Sequence, residues 1–182
     1  GCNKGANLGA YVMGRSGTVS AAVEATFFDV PAIAVSQYVP TTPDEEFENL
    51  TPPKEAYQDA CEAAAYLVEH SQESDVFEEA DYLNVNAPAP ETTPERPPMT
   101  VTDPSPLYAM TAEFDGETLR LEDEVWQRMQ SGDIPDEDGT DRRAVVDGEI
   151  SVSPLTAPHT VERHERLDEL AAAYTGDRAT QL

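Results

Sequence analysis

Lysine is almost missing from this chain. Lys4 and Lys54 are the only two among 11 basic residues, which face 36 acidic ones for a net charge of −25 over 182 residues. So acidic a surface repels nucleic acid and anionic membranes and excludes both as partners of its general face. Cysteine is equally scarce. Cys2 and Cys61 stand far apart with no C-x-x-C spacing, so neither a zinc site nor a disulfide framework is indicated. The three histidines, His70, His159 and His164, are scattered, and there is a single tryptophan, Trp126. No run of eighteen apolar residues occurs, which excludes a membrane-spanning helix.

What is present is acid spread along the whole length, with apolar periodic segments persisting between the charges. That distribution differs from an acidic tail and from a disordered polyelectrolyte. It fits a folded protein adapted to concentrated salt, where a screening length of about 3 Å quenches the repulsion between surface carboxylates. The expectation is a cytoplasmic protein of an extreme halophile that loses structure when salt is withdrawn.

The first forty residues hold the densest chemistry. Gly1-Cys-Asn3-Lys-Gly5-Ala-Asn7-Leu-Gly9 is a small, amide-bearing loop that lets backbone approach a ligand closely. Ser16-Gly17-Thr18 then opens a helix with Val19, Ala22, Val23 and Phe27 on one face. Residues 31–36, Pro-Ala-Ile-Ala-Val-Ser, read as a strand buried on both sides of a parallel sheet. Loop, helix and strand make half a βαβ unit whose first strand is expected to be absent. An anion has a reason to sit at residues 16–18, because the first N–H groups of a helix lack intrahelical partners and the peptide dipoles add there. The ordinary alternative is that Ser16 or Thr18 only caps the helix.

Two other motifs fail on their own terms. Gly9-x-x-x-x-Gly14-Arg15-Ser16 has the spacing of a phosphate-binding P-loop, but Tyr11, Val12 and Met13 are too bulky for backbone to wrap phosphates. Asp136, Asp138 and Gly139 fit three places of an EF-hand, whereas Ile134 and Val145 stand where its first and last carboxylates belong.

Further along, residues 54–70 predict a helix with Ala56, Ala60, Ala64 and Leu67 interleaved with Tyr57, Cys61 and Val68 on a wide apolar face. Residues 82–86 predict a short strand, and Asp115-Gly116 a tight hairpin turn. A short helix at 123–130, a strand at 149–153 closed by Pro154, and a helix at 160–174 complete the pattern. Asn84 and Asn86 are expected to bond nearby backbone at the strand end.

The ordered segments Asn3-Lys-Gly-Ala-Asn7-Leu-Gly9, Ser16-Gly17-Thr18-Val19-x-Ala-Ala22-Val23-Glu24, Val30-Pro31-x-Ile33-Ala34-Val35-Ser36, Leu83-Asn84-Val85-Asn86-x-Pro88 and Gly139-Thr140-Asp141 through Gly148-x-Ile-Ser151-Val-Ser153-Pro154 resemble the SurE (survival protein E) family of metal-dependent nucleotidases. The match spans about 150 residues and is loose over 41–81 and 91–132. The resemblance implies an α/β fold with a Rossmann-like three-layer core, incomplete here at its N-terminal strands, followed by a C-terminal hairpin and helical arm. It implies division into core (1–90), Pro-rich linker (91–106) and C-terminal hairpin, strand and arm (107–182). It implies a phosphomonoesterase acting on nucleoside monophosphates with a divalent cation, magnesium or manganese, and a homodimer or homotetramer.

By the same resemblance Asn3 is a metal ligand, and Asn7, Ser16, Gly17 and Thr18 bind phosphate or substrate. The family's paired aspartates of an Asn-Asp-Asp-Gly motif do not occur in this sequence. One neutral amide does not hold a hard divalent cation alone. The expectation is therefore a fragment, inactive by itself, of an active hydrolase. The alternative is a non-catalytic SurE-like subunit or nucleotide-binding protein.

Overall fold

The computed structural model describes residues 2–41, 47–71, 73–90, 96–108 and 110–157. Their centre is a five-stranded sheet. Strand β1 (Asn3–Lys4) lies beside β2 (Ala32–Gln37), which lies beside β3 (Tyr82–Ala87), all three parallel. Strand β7 (Ile150–Leu155) runs antiparallel to β3 and pairs on its other side with β4 (Met99–Val101), giving the order β1-β2-β3-β7-β4. Two more strands, β5 (Met110–Phe114) and β6 (Leu119–Asp123), form a separate hairpin.

Among the described residues six α-helices accompany them: α1 (Ala10–Met13), α2 (Gly17–Thr26), α3 (Gln58–His70), α4 (Val76–Glu79), α5 (Val125–Ser131) and α6 (Asp141–Val146). None is long and apolar enough to cross a membrane.

Alternation along the central strands sorts side chains to two faces. Val35, Leu83, Val85 and Ala87 turn to one side, where Ala60 and Ala63 of α3 close a core with Ile150 and Val152. Burying each such branched side chain contributes about 1.5–3 kcal/mol. On the other side Ala34 and Tyr82 pack against Val19 and Ala22 of α2, with Met13 from α1. Covering both faces of the sheet is what lets β2 read as an apolar run from Ala32 to Val35.

Several expectations change in detail. The N-terminal loop is not wholly loop, and the first strand of the βαβ unit is not wholly absent: Asn3 pairs with Ser36 and Lys4 with Gln37, so β1-α2-β2 is a parallel crossover. Two residues are too few for any periodicity to show. In α3 the helix proper starts at Gln58 after a 3-10 turn (Lys54–Tyr57), and Cys61 and Val68 face solvent. Phe27 is likewise exposed at the end of α2.

Strand β7 continues through Pro154 to Leu155. Its pairing with β4 ends at Val152, so the missing proline N–H breaks no bond on that side. The Pro-rich 91–106 segment contributes β4, and the sheet thus takes strands from each of the segments 1–90, 91–106 and 107–182. The helix expected at 160–174 lies outside the described residues.

Candidate functional site

Parallel strands β1, β2 and β3 end at Lys4, Gln37 and Ala87, and the chain leaves all three at the same edge of the sheet. Open α/β sheets bind ligands there. Helix α2 follows β1 in the β1-α2-β2 crossover, and Val19 in its first turn packs against Tyr82 of β3.

The loop following β1 is held from below by a buried polar layer. Ser36, Asn84 and Asn86 are fully buried on the strand face opposite Val35, Leu83 and Val85. Asn86 Oδ1 accepts the Asn7 backbone N–H at 2.7 Å, and Asn84 Nδ2 donates to the Asn7 carbonyl at 2.8 Å. The Asn7 side chain in turn donates through Nδ2 to Ser36 Oγ at 2.7 Å. The layer continues onto β7, where Ser151 and Ser153 Oγ meet Thr102 Oγ1 at 2.8 and 2.9 Å. Asn84 and Asn86 therefore bond backbone 77 and 79 residues away rather than their own turn.

A second anchor comes from α6. Asp141, fully buried, accepts three backbone amides: Gly9 at 2.7 Å through Oδ2, and Ser105 at 2.9 Å and Arg142 at 2.8 Å through Oδ1. Burial raises its pKa, and the three amides oppose that shift. Beside it the Arg142 guanidinium, nearly fully buried, pairs with Asp136 Oδ1 at 3.0 Å and donates to the Ser105 hydroxyl and the Leu107 carbonyl. Asp136 is thus committed to Arg142 and Ser105, which removes it from any calcium loop.

Asn3 donates through Nδ2 to the Gly5 carbonyl at 2.8 Å, which turns its carboxamide oxygen the other way. Asn3 and Asn7 both line a cavity of about 380 Å³ together with Tyr38, Phe47, Trp126 and Gln130. Ser16, Gly17 and Thr18 do not line it. Ser16 is the N-cap of α2: its extended backbone (φ −82°, ψ 125°) places Oγ to accept the Val19 amide at 3.1 Å. The ordinary capping role is therefore real for Ser16, and the hydroxyl proton is still a donor. Gly17 is exposed and a side chain there would meet nothing within 4 Å, and Thr18 is half-buried beside it. The segment once legible as a P-loop is occupied by helix α1.

Among the described residues no three His, Cys, Asp or Glu side chains gather where a metal ion would sit. Asn3 offers one neutral oxygen. Such a donor set does not fit a divalent cation by itself, since magnesium and manganese are held through carboxylates.

The arrangement is that of a Rossmann-like α/β protein with an anchored polar loop and a cavity at the carboxyl edge of its parallel strands. Comparison with known proteins narrows this. The family model described as Survival protein SurE matches residues 1–106. A protein named 5'-nucleotidase SurE from Haloarcula marismortui is 59% identical over 177 residues, covering 97% of this chain and 65% of its own. Another of that name from Haloquadratum walsbyi is 60% identical over 175 residues, covering 96% of this chain and 65% of its own. Among solved structures, a SurE protein from Aquifex aeolicus superposes with a TM-score of 0.61 at 26% identity, covering 88% of this chain and 58% of that one. The chain belongs to the SurE family, and spans about two thirds of the length of these two relatives.

Proposed function

We propose that this chain is the phosphate-handling part of a nucleotidase that hydrolyses nucleoside monophosphates to nucleoside and phosphate. The observation that carries the reading is the double anchoring of the Asn3–Gly9 loop, by Asn84 and Asn86 from β3 and by Asp141 from α6. A loop held so firmly presents fixed polar groups, which is what stabilising a transferring phosphoryl group requires. Two relatives 59% and 60% identical carry the name 5'-nucleotidase SurE, which supports the same assignment.

In this reading the Gly17 and Thr18 amides at the start of α2, with the Ser16 and Thr18 hydroxyls, donate to the phosphate oxygens. Asn7 orients the loop, and the Asn3 carboxamide oxygen would be one ligand of a divalent cation, magnesium or manganese, beside carboxylates that the described residues do not bring to it. That cation would supply charge neutralisation at the phosphoryl group. The working unit is a homodimer or homotetramer in the cytoplasm.

The test is metal-dependent phosphate release from AMP by a full-length SurE protein carrying this chain, beside the 182-residue chain alone. Release by the longer protein and none by the shorter is expected. Failure of the longer protein to release phosphate while it binds AMP would instead support a nucleotide-binding subunit without catalysis.

A further inference from the structure

The cavity that touches Asn3 and Asn7 has walls that phosphate chemistry does not need. Tyr38 from the end of β2, Phe47 from the 3-10 turn Phe47–Asn49 and Trp126 from α5 bring three aromatic rings to it. The Tyr38 and Trp126 rings lie within 19° of parallel with centroids 6.4 Å apart. Near the rim, Gln130 donates through Nε2 to the Thr41 carbonyl, which fixes its carboxamide. Lys4 holds the wall bearing Phe47 in place: its ammonium donates to the Phe47 and Leu50 carbonyls at 2.9 and 3.0 Å and lies 4.8 Å from the Phe47 ring centre.

Its size separates this cavity from an ordinary packing gap. Its volume of about 380 Å³ falls in the range of small-molecule sites. The Tyr38 hydroxyl is buried away from this space with no hydrogen-bond partner among the described residues, so Tyr38 offers the cavity its ring. Burial also pushes that phenol up to about 12, so it stays a neutral donor.

We propose that this cavity seats the base of a nucleoside, with Trp126 as its stacking wall and Gln130 as the polar group that meets the base edge. The inference rests on the reading that the chain handles nucleoside monophosphates, and adds which residues recognise the nucleoside. Bases stack on any aromatic face, so the wall alone tolerates many bases, and Gln130 supplies the discrimination.

Trp126 is the only tryptophan, so its fluorescence reports on this wall alone. The 182-residue chain in concentrated potassium chloride is titrated with adenosine, ribose 5-phosphate and inorganic phosphate. Adenosine is expected to quench Trp126 saturably and the other two are not. By equilibrium dialysis with labelled adenosine, Trp126→Phe keeps most of the affinity and Trp126→Ala loses about tenfold or more. Gln130→Ala, an exposed position that leaves the fold intact, changes the ratio of adenosine to guanosine affinity.

The proposal is overturned if adenosine gives no saturable change, if ribose 5-phosphate quenches equally, or if a folded Trp126→Ala binds adenosine as the wild type does. Any of these, with phosphate release from AMP preserved in the full-length protein, removes the base seat and leaves the hydrolase reading standing. Adenosine quenching without phosphate release does the reverse.

Discussion

Gly9 and Asp141 meet across 132 residues of sequence: the glycine amide donates to the buried carboxylate at 2.7 Å. Because the other carboxylate oxygen accepts the Ser105 and Arg142 amides, no acceptor capacity can be surrendered without orphaning a buried N–H. Asp141→Asn turns an NH₂ group toward one of these donors. It is expected to lower stability by about 1–3 kcal/mol, read from urea unfolding in concentrated salt. An unchanged midpoint would mean the clamp does not hold the loop.

Gly5 sits at φ +96°, a conformation other residues rarely adopt, and a Cβ there would lie 2.6 Å from Phe47 Cζ. Gly5→Ala therefore strains the backbone and pushes Phe47 off the cavity wall. The expected result is a lowered melting temperature, together with weaker adenosine quenching of Trp126. Retention of both would show that the Phe47 wall is not fixed as described.

The two cysteines differ in environment. Cys2 packs at the edge of the core, and burial first, with the nearby Cys61 second, pushes its thiol up to about 11. Cys61 is exposed. Since the thiolate is the nucleophile, iodoacetamide at about pH 8.5 is expected to alkylate Cys61 while Cys2 stays protonated and unreacted. Peptide mass mapping reads the result, and Cys2 should label only after denaturation or as pH approaches its raised value. Equal labelling of both would contradict the placement of Cys2.

With a net charge of −25, mutual repulsion of carboxylates dominates in dilute buffer and is screened within about 3 Å at molar salt. Far-ultraviolet circular dichroism is expected to show the fold at about 3 M potassium chloride and its loss at about 0.05 M. Identical spectra at the two would remove the salt-adaptation argument.

Much of this fold is legible in local sequence because the signals are local. Ser16 caps α2, and Asp115 Oδ1 accepts the Glu117 and Thr118 amides to close the hairpin turn, both as their residue types require. The apolar run 32–35 of β2 follows from burial on both faces.

What escaped local reading depends on distant partners. Asn84 and Asn86 alternate with Leu83 and Val85 in a way that resembles a strand with one wet face, yet they are fully buried because the Asn7 loop covers them. The pairing of Arg142 with Asp136 is hidden among many solvated acids, and only its burial distinguishes it. Trp126 reads as the apolar face of a short helix. Its place beside Asn3 and Asn7 arises only when the chain after β6 packs against the end of β2.

The most direct test of the central claim is a manganese titration of phosphate release from AMP, comparing a full-length SurE protein carrying this chain with its Asn3→Ala variant. If the Asn3 carboxamide is a metal ligand beside the phosphate cradle, the variant should need at least about tenfold more metal for half-maximal activity while its circular dichroism is unchanged. Superimposable titration curves for the two proteins would contradict the account.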